Sequence, residues 1–220
     1  MIELPDCPSD LLAPFGAFLL AGEKDVQTDL IKFAMLLTRW QAAQNLVSRE
    51  TIPQFWIRHI VDSLQILSLL LPNDRQIFDL GSGGGFPGLP LAIALKGGPQ
   101  RVTLIESNRR KGAFLRAVVR ELGLPARVLA VRAESLADSR ETGGADVLTA
   151  RAVAALPRLL ELGYPLLRPN GRALLHKGRE HVEELSESGA KWRFDVVEIA
   201  SRTDPEGVIL EIAGLAPLTG

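Results

Sequence analysis

The first third of the chain has hydrophobic residues at helical spacing. Phe33, Leu37 and Trp40 recur at intervals of three or four residues, which places them on one face of a helix. Charged Lys32 and Arg39 fall elsewhere on the helical wheel, so one side of this helix is expected to be buried and the other exposed. Helices are predicted before residue 75 at Ser9–Ala21, Asp25–Gln41 and Pro53–Leu71.

From residue 76 onward the pattern changes to short β-rich runs that alternate with helical stretches. Strands are predicted at Ile77–Leu80, Val102–Glu106, Arg127–Val131, Ala145–Thr149, Arg172–Leu175, Phe194–Ile199 and Val208–Ile212. Further helices are predicted at Leu89–Lys96, Asn108–Leu122, Leu156–Leu166 and His181–Ser188. Such alternation is typical of βαβ units in a mainly parallel sheet. The short connection 201–207 predicts an antiparallel hairpin at one edge.

This order of elements resembles the Rossmann-like methyltransferase fold. We therefore expect an α/β protein with a seven-stranded, mainly parallel sheet. Residues 1–75 are predicted to form an N-terminal helical extension, and residues 76–220 the Rossmann-like domain.

Charge and cysteine content exclude several classes of protein. The chain has 25 Lys and Arg residues against 26 Asp and Glu, a net charge of −1, so a polyanionic partner would need a local basic patch. Cys7 is the single cysteine, which excludes an intrachain disulfide and a multi-thiolate zinc site. The acidic N-terminus is unlike a signal peptide, and no apolar run reaches the roughly 18 residues of a membrane span. We expect a cytoplasmic monomer that binds neither a metal nor a membrane.

A glycine-rich segment, D-L-G-S-G-G-G-F-P-G at 79–88, follows the first predicted strand. Such a loop lets the backbone approach a nucleotide-like ligand at the carboxyl end of a parallel sheet. No lysine lies within it, which excludes a nucleoside triphosphate bound as in a P-loop. Phe86 and Pro87 interrupt the helix start that NAD or FAD would prefer, so a dinucleotide is the second alternative.

S-adenosylmethionine fits this loop better, because it carries no phosphate. The backbone at Gly81, Gly83 and Gly85 would approach the cofactor. Glu106, at the end of the second predicted strand, would accept hydrogen bonds from its ribose hydroxyls. Asp79 would either contact the cofactor's ammonium group through water or brace the loop by accepting backbone N–H groups.

Five segments occur in the order and approximate spacing of one family. They are R-W-x3-Q-N-L-V-S at 39–48, R-H-I-V-D-S at 58–63, the glycine loop at 81–88, A-R-A at 150–152 and K-G at 177–178. The chain thereby resembles, over nearly its whole length, the RsmG family, also called GidB. These bacterial methyltransferases transfer a methyl group from S-adenosylmethionine to N7 of one guanine in 16S ribosomal RNA. The sequence departs from the family at Gln44, Val47 and Ala150, where Tyr, Thr and Ser are usual.

The resemblance implies cofactor contacts from Gly81, Phe86, Ala133, Glu134 and Arg151. Ala133 and Glu134 follow the third predicted strand, where an acid or a backbone N–H can recognise the adenine. Arg151 follows the fourth predicted strand, where it would hold the cofactor carboxylate or an RNA phosphate.

The chemistry implied by the resemblance needs no catalytic acid or base. Guanine N7 has a free lone pair and no proton, so methyl transfer needs alignment, here attributed to positioning by Arg151 and Lys177. A lysine touching the guanine ring would oppose the reaction, because the ring becomes positive, so Lys177 is expected to bind phosphate. Cys7 is a poor candidate for the nucleophile that cytosine-C5 methylation requires.

A local excess of positive charge predicts an RNA-binding surface. Residues 101–132 contain eight basic and two acidic residues. Arg109, Arg116 and Arg120 fall on one face of the predicted helix there, and solvated faces more often mix charges of both signs. The expected partner is 16S ribosomal RNA or the small ribosomal subunit.

His59, Asp62 and Ser63 lie about one turn apart on a single helix, so they cannot form the triad of a hydrolase. A structural network with Arg58, joining the helical extension to the sheet, is favoured over direct RNA contact. Other functions stay open, namely a small-molecule methyltransferase, an NAD-binding oxidoreductase and a non-catalytic ribosome-binding module.

Overall fold

The computed structural model describes residues 3–136 and 144–218. The strands are β1 Gln76–Leu80, β2 Arg101–Ile105, β3 Ala126–Leu129, β4 Ala145–Arg151, β5 Leu167–Lys177, β6 Trp192–Ala200 and β7 Val208–Pro217. The α-helices are α1 Glu23–Gln41, α2 Asp62–Leu64, α3 Gly88–Ala94, α4 Arg109–Leu122, α5 Leu156–Gly163 and α6 His181–Gly189. Turns of 3-10 helix lie at Ala13–Phe18, Arg49–Gln54, Gln65–Leu69, Ala133–Leu136 and Tyr164–Leu166, and one π-helical segment lies at Trp56–Val61.

The strands form one sheet in the order β3-β2-β1-β4-β5-β7-β6. The first five in this order are parallel, whereas β7 runs antiparallel to both β5 and β6. The predicted seven-stranded, mainly parallel sheet is therefore confirmed, as is the antiparallel pairing of the last two strands. β7 lies between β5 and β6, and β6 is the strand at the edge.

Hydrophobic side chains cover both faces of the sheet. One cluster combines α1, α3 and α4 with the sheet and includes the buried rings of Phe33, Phe55, Phe86 and Phe114. Burying each such ring contributes about 1.5–3 kcal/mol to folding. A second cluster, with α5, covers the opposite face. The helices before residue 75 thus share a hydrophobic core with the strands, and the division of the chain at that residue stays a prediction.

The predicted helix Pro53–Leu71 is a composite rather than a regular α-helix. It is preceded by a 3-10 turn, opens with the π-helical segment, and ends in another 3-10 turn. Side chains compete for the backbone carbonyl groups in this segment. The carbonyl oxygen of Arg58 accepts a hydrogen bond from the Arg151 guanidinium, and that of His59 accepts one from the Ser63 hydroxyl, which accounts for the irregular helix. The predicted helix at 9–21 was also too long, and only Ala13–Phe18 is helical.

Several strands extend further than their sequence predicts, and at the site these are β4 and β5. β4 continues to Arg151 and β5 continues to Lys177, so both residues are the last of a strand rather than part of a following loop. β5 begins early because Ala145 pairs with Leu167 before the register shifts and Val147 pairs with Arg172. In the described ranges, no helix has the length and apolarity that crossing a bilayer requires.

Candidate active site

The glycine-rich loop connects β1 to α3 at the carboxyl end of the sheet. Gly81 has a φ of +66°, and a Cβ atom there would lie 2.6 Å from Val153 Cγ2. Gly83 has a φ of +55°, yet the nearest atom to a Cβ there is the Gly81 carbonyl oxygen at 3.7 Å. The N–H of Gly85 donates to the carbonyl oxygen of Ser82 at 2.6 Å and closes the turn. The backbone at Gly83 is therefore partly exposed, with room for one more carbon atom beside it.

Glu106 follows β2 and reaches this loop. One carboxylate oxygen accepts the N–H of Gly83 at 2.8 Å, and the other accepts the N–H of Asn108 at 2.7 Å. An ionised carboxylate has about four lone-pair sites, so it retains acceptor capacity for a ligand hydroxyl. The structure thus brings Glu106 and Gly83 together.

Asp79 is a fully buried acid in β1. Its Oδ2 accepts the N–H of Gly88 at 3.2 Å, and its Oδ1 accepts the Thr149 hydroxyl at 3.2 Å. A Cβ atom on Gly88 would lie 2.6 Å from that Oδ2, so the loop packs directly on the acid. Burial raises the pKa of Asp79 from its ordinary 3.8 to about 7. These contacts are those of a residue that braces the loop.

We expect Asp79→Asn to change the pH dependence of stability. The pKa is higher in the folded than in the unfolded state, so the stability contributed by the protonated acid is present below the unfolded pKa of 3.8 and is lost as pH rises through about 7. Asparagine cannot ionise and has no such loss. The free energy of unfolding of the variant, relative to the original protein, should rise by on the order of 2–4 kcal/mol between about pH 4 and pH 8. Urea unfolding measures this difference, and a value independent of pH would contradict the buried, titrating Asp79.

Ala133 and Glu134 lie in the 3-10 turn after β3. Ala133 is buried, whereas Glu134 is exposed and its carboxylate forms an ion pair with Arg158 of α5 at 2.5 Å. The side chain of Glu134 is therefore engaged with α5, and its expected contact with an adenine stays a prediction.

A cleft of about 660 Å³ opens at the carboxyl ends of β4 and β5, a volume typical of small-ligand sites. Its walls come from residues between 46 and 62, the ends of the two strands, residues 178–184 and the connection 201–208. Arg151 and Lys177 line it. The other predicted cofactor residues lie outside its lining, namely Gly81, Gly83, Gly85, Phe86, Glu106, Ala133 and Glu134. The site thus has two parts, the glycine loop with Glu106, and the cleft.

Arg151 is held on the wall of the cleft by the helical segment. Its Nη1 donates to the carbonyl oxygen of Arg58 at 2.5 Å and to Asp62 Oδ2 at 2.9 Å, and its Nη2 faces Nδ1 of His59. Its Cζ lies 5.4 Å from the centre of the Phe86 ring. His59 and Asp62 thus belong to a structural network, as predicted, and Arg151 is its link to the sheet. Arg58 joins this network only through its carbonyl oxygen, because its side chain forms an ion pair with Asp204.

His176 and Thr203 extend this network, and the sequence did not predict either. The Nε2 of His176 donates to the carbonyl oxygen of Asp62 at 2.9 Å, and the Thr203 hydroxyl donates to Asp62 Oδ1 at 2.7 Å. Burial lowers the pKa of His176, so its ring is neutral at neutral pH. A histidine at the polar end of an apolar strand was the available signal for His176. Thr203 lies in a connection between strands, where no sequence pattern indicated a role for it.

Lys177 is buried, and its ammonium group is bound by other groups of the protein. Its Nζ forms an ion pair with Glu184 at 2.5 Å and donates to the carbonyl oxygen of Ala154 at 3.2 Å, and its side chain is 9% exposed. Glu184 also accepts the N–H of Leu156 at the start of α5. These contacts join the 154–156 segment to α6, and the expected phosphate contact of Lys177 stays a prediction.

α4 presents the predicted basic face to solvent. Asn108 caps its first turn by accepting the N–H groups of residues 110 and 111. Arg109, Arg116 and Arg120 are all exposed. In the part of the chain that the structure describes, none of these three guanidinium groups has an acidic partner within 4.0 Å. The positive charge of this face is therefore available to an external anion.

Residues 26–206 match the family model described as rRNA small subunit methyltransferase G, GidB. Three relatives bear the name Ribosomal RNA small subunit methyltransferase G. The one from Cereibacter sphaeroides is 43% identical over 88% of this chain and 93% of its own length. The one from Rhodospirillum centenum is 44% identical over 95% of this chain and 91% of its own length. The one from Gluconobacter oxydans is 47% identical over 86% of this chain and 94% of its own length.

Two solved structures are similar in fold. Cofactor-bound Rv0187 from MTB superposes with a TM-score of 0.59 at 13% identity, covering 96% of this chain and 98% of that one. TYW2 of M. jannaschii in complex with AdoMet superposes with a TM-score of 0.55 at 15% identity, covering 80% of each chain. The fold is shared at these low identities, and the family is established by the much higher identities above and by the match over residues 26–206. The chain belongs to the rRNA small subunit methyltransferase G family.

Proposed function

We propose that this protein transfers a methyl group from S-adenosylmethionine to N7 of one guanine in 16S ribosomal RNA. Membership of the rRNA small subunit methyltransferase G family makes it a methyltransferase of small-subunit ribosomal RNA, and the family match over residues 26–206 is the observation that carries the proposal. The choice of guanine N7 is what the resemblance to RsmG proteins implies.

The residues around the glycine loop fit this cofactor. Gly83 offers partly exposed backbone without a crowding side chain, and Glu106 lies beside it with acceptor capacity for two ribose hydroxyls. Gly81, Gly85 and Phe86 shape the same loop, while Ala133 and Glu134 would contact the adenine. The sulfonium group of the bound cofactor supplies an electrophilic methyl group.

The chain's own residues need only hold the two reactants in line. N7 attacks with its free lone pair, so no side chain has to remove a proton. Arg151 and its network line the cleft at the carboxyl end of the sheet, beside the glycine loop, where a target nucleotide would sit. A fixed cation that binds away from the guanine ring orients the nucleotide without opposing the charge that develops on N7.

The basic face of α4 would bind the surrounding RNA. Arg109, Arg116 and Arg120 are exposed, and α4 begins just after Glu106, so RNA bound there lies close to the methyl donor. The partner would be 16S ribosomal RNA or the small subunit, the location would be the cytoplasm, and we propose that the enzyme acts as a monomer.

The test is N7-specific detection of the product. RNA from a deletion strain and from the complemented strain is treated with borohydride and aniline and then read by primer extension. The proposal predicts a cleavage signal at one guanine of 16S RNA only in the complemented strain. An unchanged signal would instead support a non-catalytic ribosome-binding module, and calorimetry showing NADH binding without S-adenosylmethionine binding would support an oxidoreductase.

A further inference from the structure

The connection between β6 and β7, residues 201–207, is a tight turn with two acids at its tip. The N–H of Ser201 donates to the carbonyl oxygen of Gly207 at 2.9 Å and closes the turn. Asp204 and Glu206 lie at the tip, where the N–H of Glu206 donates to Oδ1 of Asp204 at 3.0 Å. Asp204 and Gly207 line the cleft. This acidic turn therefore places two carboxylates at the edge of the candidate active site.

The base of the acidic turn is fixed to the preceding helices. The N–H of Arg202 donates to the side-chain oxygen of Gln65 at 2.6 Å, and the Thr203 hydroxyl donates to Asp62 at 2.7 Å. The two acidic side chains at the tip are nevertheless 37% and 60% exposed. A change of partner at the tip therefore needs only rotation of side chains, which is fast, and no movement of the backbone.

Each acid at the tip pairs with an arginine from a different wall of the cleft. Oδ2 of Asp204 lies 3.4 Å from Nη1 of Arg58, which belongs to the π-helical segment. A carboxylate oxygen of Glu206 lies 3.2 Å from Nη2 of Arg179, which follows β5. Within residues 3–136 and 144–218, neither guanidinium has another acidic partner within 4.0 Å. One turn thus neutralises two arginines of the cleft.

Both ion pairs are exposed and easily exchanged. The side chains of Arg58 and Arg179 are 43% and 75% exposed. Exposed pairs contribute little to the stability of a fold, because water and salt screen the charges and both side chains lose freedom on pairing. A guanidinium group matches the geometry of phosphate oxygens as well as that of a carboxylate. A phosphate group brought to the cleft would therefore compete with Asp204 and Glu206 for these arginines.

The number of arginines at the cleft favours an RNA backbone over the cofactor as the competing ligand. S-adenosylmethionine carries one carboxylate and no phosphate, so it cannot occupy Arg58 and Arg179 in addition to Arg151. An RNA strand carries one phosphate group per nucleotide, and contacts to phosphates make up much of the binding of proteins to nucleic acids. A strand that delivers a nucleotide to the cleft would bring phosphates past both exposed arginines.

We propose that Asp204 and Glu206 occupy the phosphate sites of Arg58 and Arg179 in the free enzyme, and that phosphates of the substrate RNA replace them. This inference rests on the proposed function, because it takes the substrate to be RNA. The displaced carboxylates then turn to water, which their exposure allows. The exchange costs little when RNA supplies a phosphate to each arginine, and it opposes binding when RNA does not.

Asp204→Asn combined with Glu206→Gln is the direct test. Both substitutions keep the size of the side chain, and Oδ1 of residue 204 can still accept the N–H of residue 206. Because Arg58 and Arg179 are then free, we expect KM for the small ribosomal subunit to fall by about 3- to 10-fold. The value of kcat and the dissociation constant for S-adenosylmethionine should stay within about twofold. Thermal unfolding checks that the variant folds as the original protein does.

Glu187→Gln combined with Asp195→Asn is the matched control. Both residues are exposed, lie outside the lining of the cleft, and have no ion pair within 4.0 Å among the described residues. The control makes the same change in net charge, and it should alter KM by less than twofold. An equal fall in KM in both double variants would show that net charge controls binding and would overturn the inference.

Arg58→Gln combined with Arg179→Gln tests whether the acids act through these arginines. The carbonyl oxygen that accepts from Arg151 is kept, because it belongs to the backbone of residue 58. This variant should raise KM by about 3- to 10-fold. In its background the two acid substitutions should lower KM by less than twofold. If they lower KM as much as in the original protein, the acids repel RNA without competing for the arginines, and the exchange is wrong.

The outcomes separate the inference from the proposed function. The N7 product of the unmodified protein decides the proposed function. If that product forms and the acid-to-amide double variant has an unchanged or higher KM, the exchange is wrong and the proposed function stands. If the product does not form, the proposed function is wrong, and filter binding of the small subunit to the same variants decides the exchange by the same comparison.

Discussion

Gly83→Ala is expected to weaken S-adenosylmethionine binding strongly while the protein still folds. A Cβ atom at Gly83 meets no atom closer than 3.7 Å, so the substitution fits the free protein apart from the backbone strain at a φ of +55°. That strain costs roughly 1–2 kcal/mol. The added methyl group occupies the space through which the cofactor must approach the backbone beside Glu106. Calorimetry should show S-adenosylmethionine binding weakened by about 100-fold or more, equivalent to about 3 kcal/mol.

Gly123→Ala is the control for this strain. Gly123 ends α4 with a φ of +58°, and a Cβ there would have nothing within 4 Å. The same backbone penalty then applies far from the glycine loop. Gly123→Ala should lose similar stability and bind the cofactor normally. Equal loss of cofactor binding in both variants, or normal binding by Gly83→Ala, would show that Gly83 does not contact the cofactor.

Arg116→Glu combined with Arg120→Glu should strongly impair RNA methylation without affecting cofactor affinity. Both side chains are exposed on α4, and neither has an acidic partner among the described residues, so reversal places negative charge where RNA phosphates are expected. We expect kcat/KM for the small subunit to fall by about 10- to 100-fold at moderate salt, since phosphate contacts dominate such binding. Tritiated methyl transfer at several salt concentrations measures the loss.

Lys191→Glu combined with Arg193→Glu provides the same change in net charge at the opposite edge of the sheet. Both residues are exposed, and they lie at the start of edge strand β6. This variant should methylate RNA almost normally. If both double variants lose activity equally, net charge rather than the α4 face controls binding, and if the α4 variant also loses cofactor affinity, the patch is not specific to RNA.

The parts of the fold that sequence predicts well are those fixed by local pattern. Phe33 and Leu37 are buried because helical spacing aligns them, and the glycine loop is recognisable because its residues are contiguous. Strand boundaries were harder to predict from the sequence. β5 contains Asn170 at a φ of +66°, in a Pro-Asn-Gly stretch that is typical of a turn.

The candidate site depends on contacts that no local pattern contains. Arg151 and Asp62 form their ion pair across 89 residues of sequence, and Thr203 meets Asp62 across 141. The R-H-I-V-D-S segment indicated that His59 and Asp62 belong to a network, but the identity of their partner required the sheet. The partner of Lys177 was equally hidden, because Glu184 lies on a helix whose orientation the sequence does not specify.

The position of β7 bears on when the enzyme becomes competent during its own synthesis. β7 is paired on both sides, and Val208 and Ile209 are opposite Lys177 and His176 of the cleft. A ribosome translates both neighbouring strands before it reaches residue 208, so each has an unpaired edge until β7 has emerged. We therefore expect the nascent chain to lack a finished cleft, and a chain interrupted before β7 to be a target for proteolysis or aggregation rather than a partly active methyltransferase.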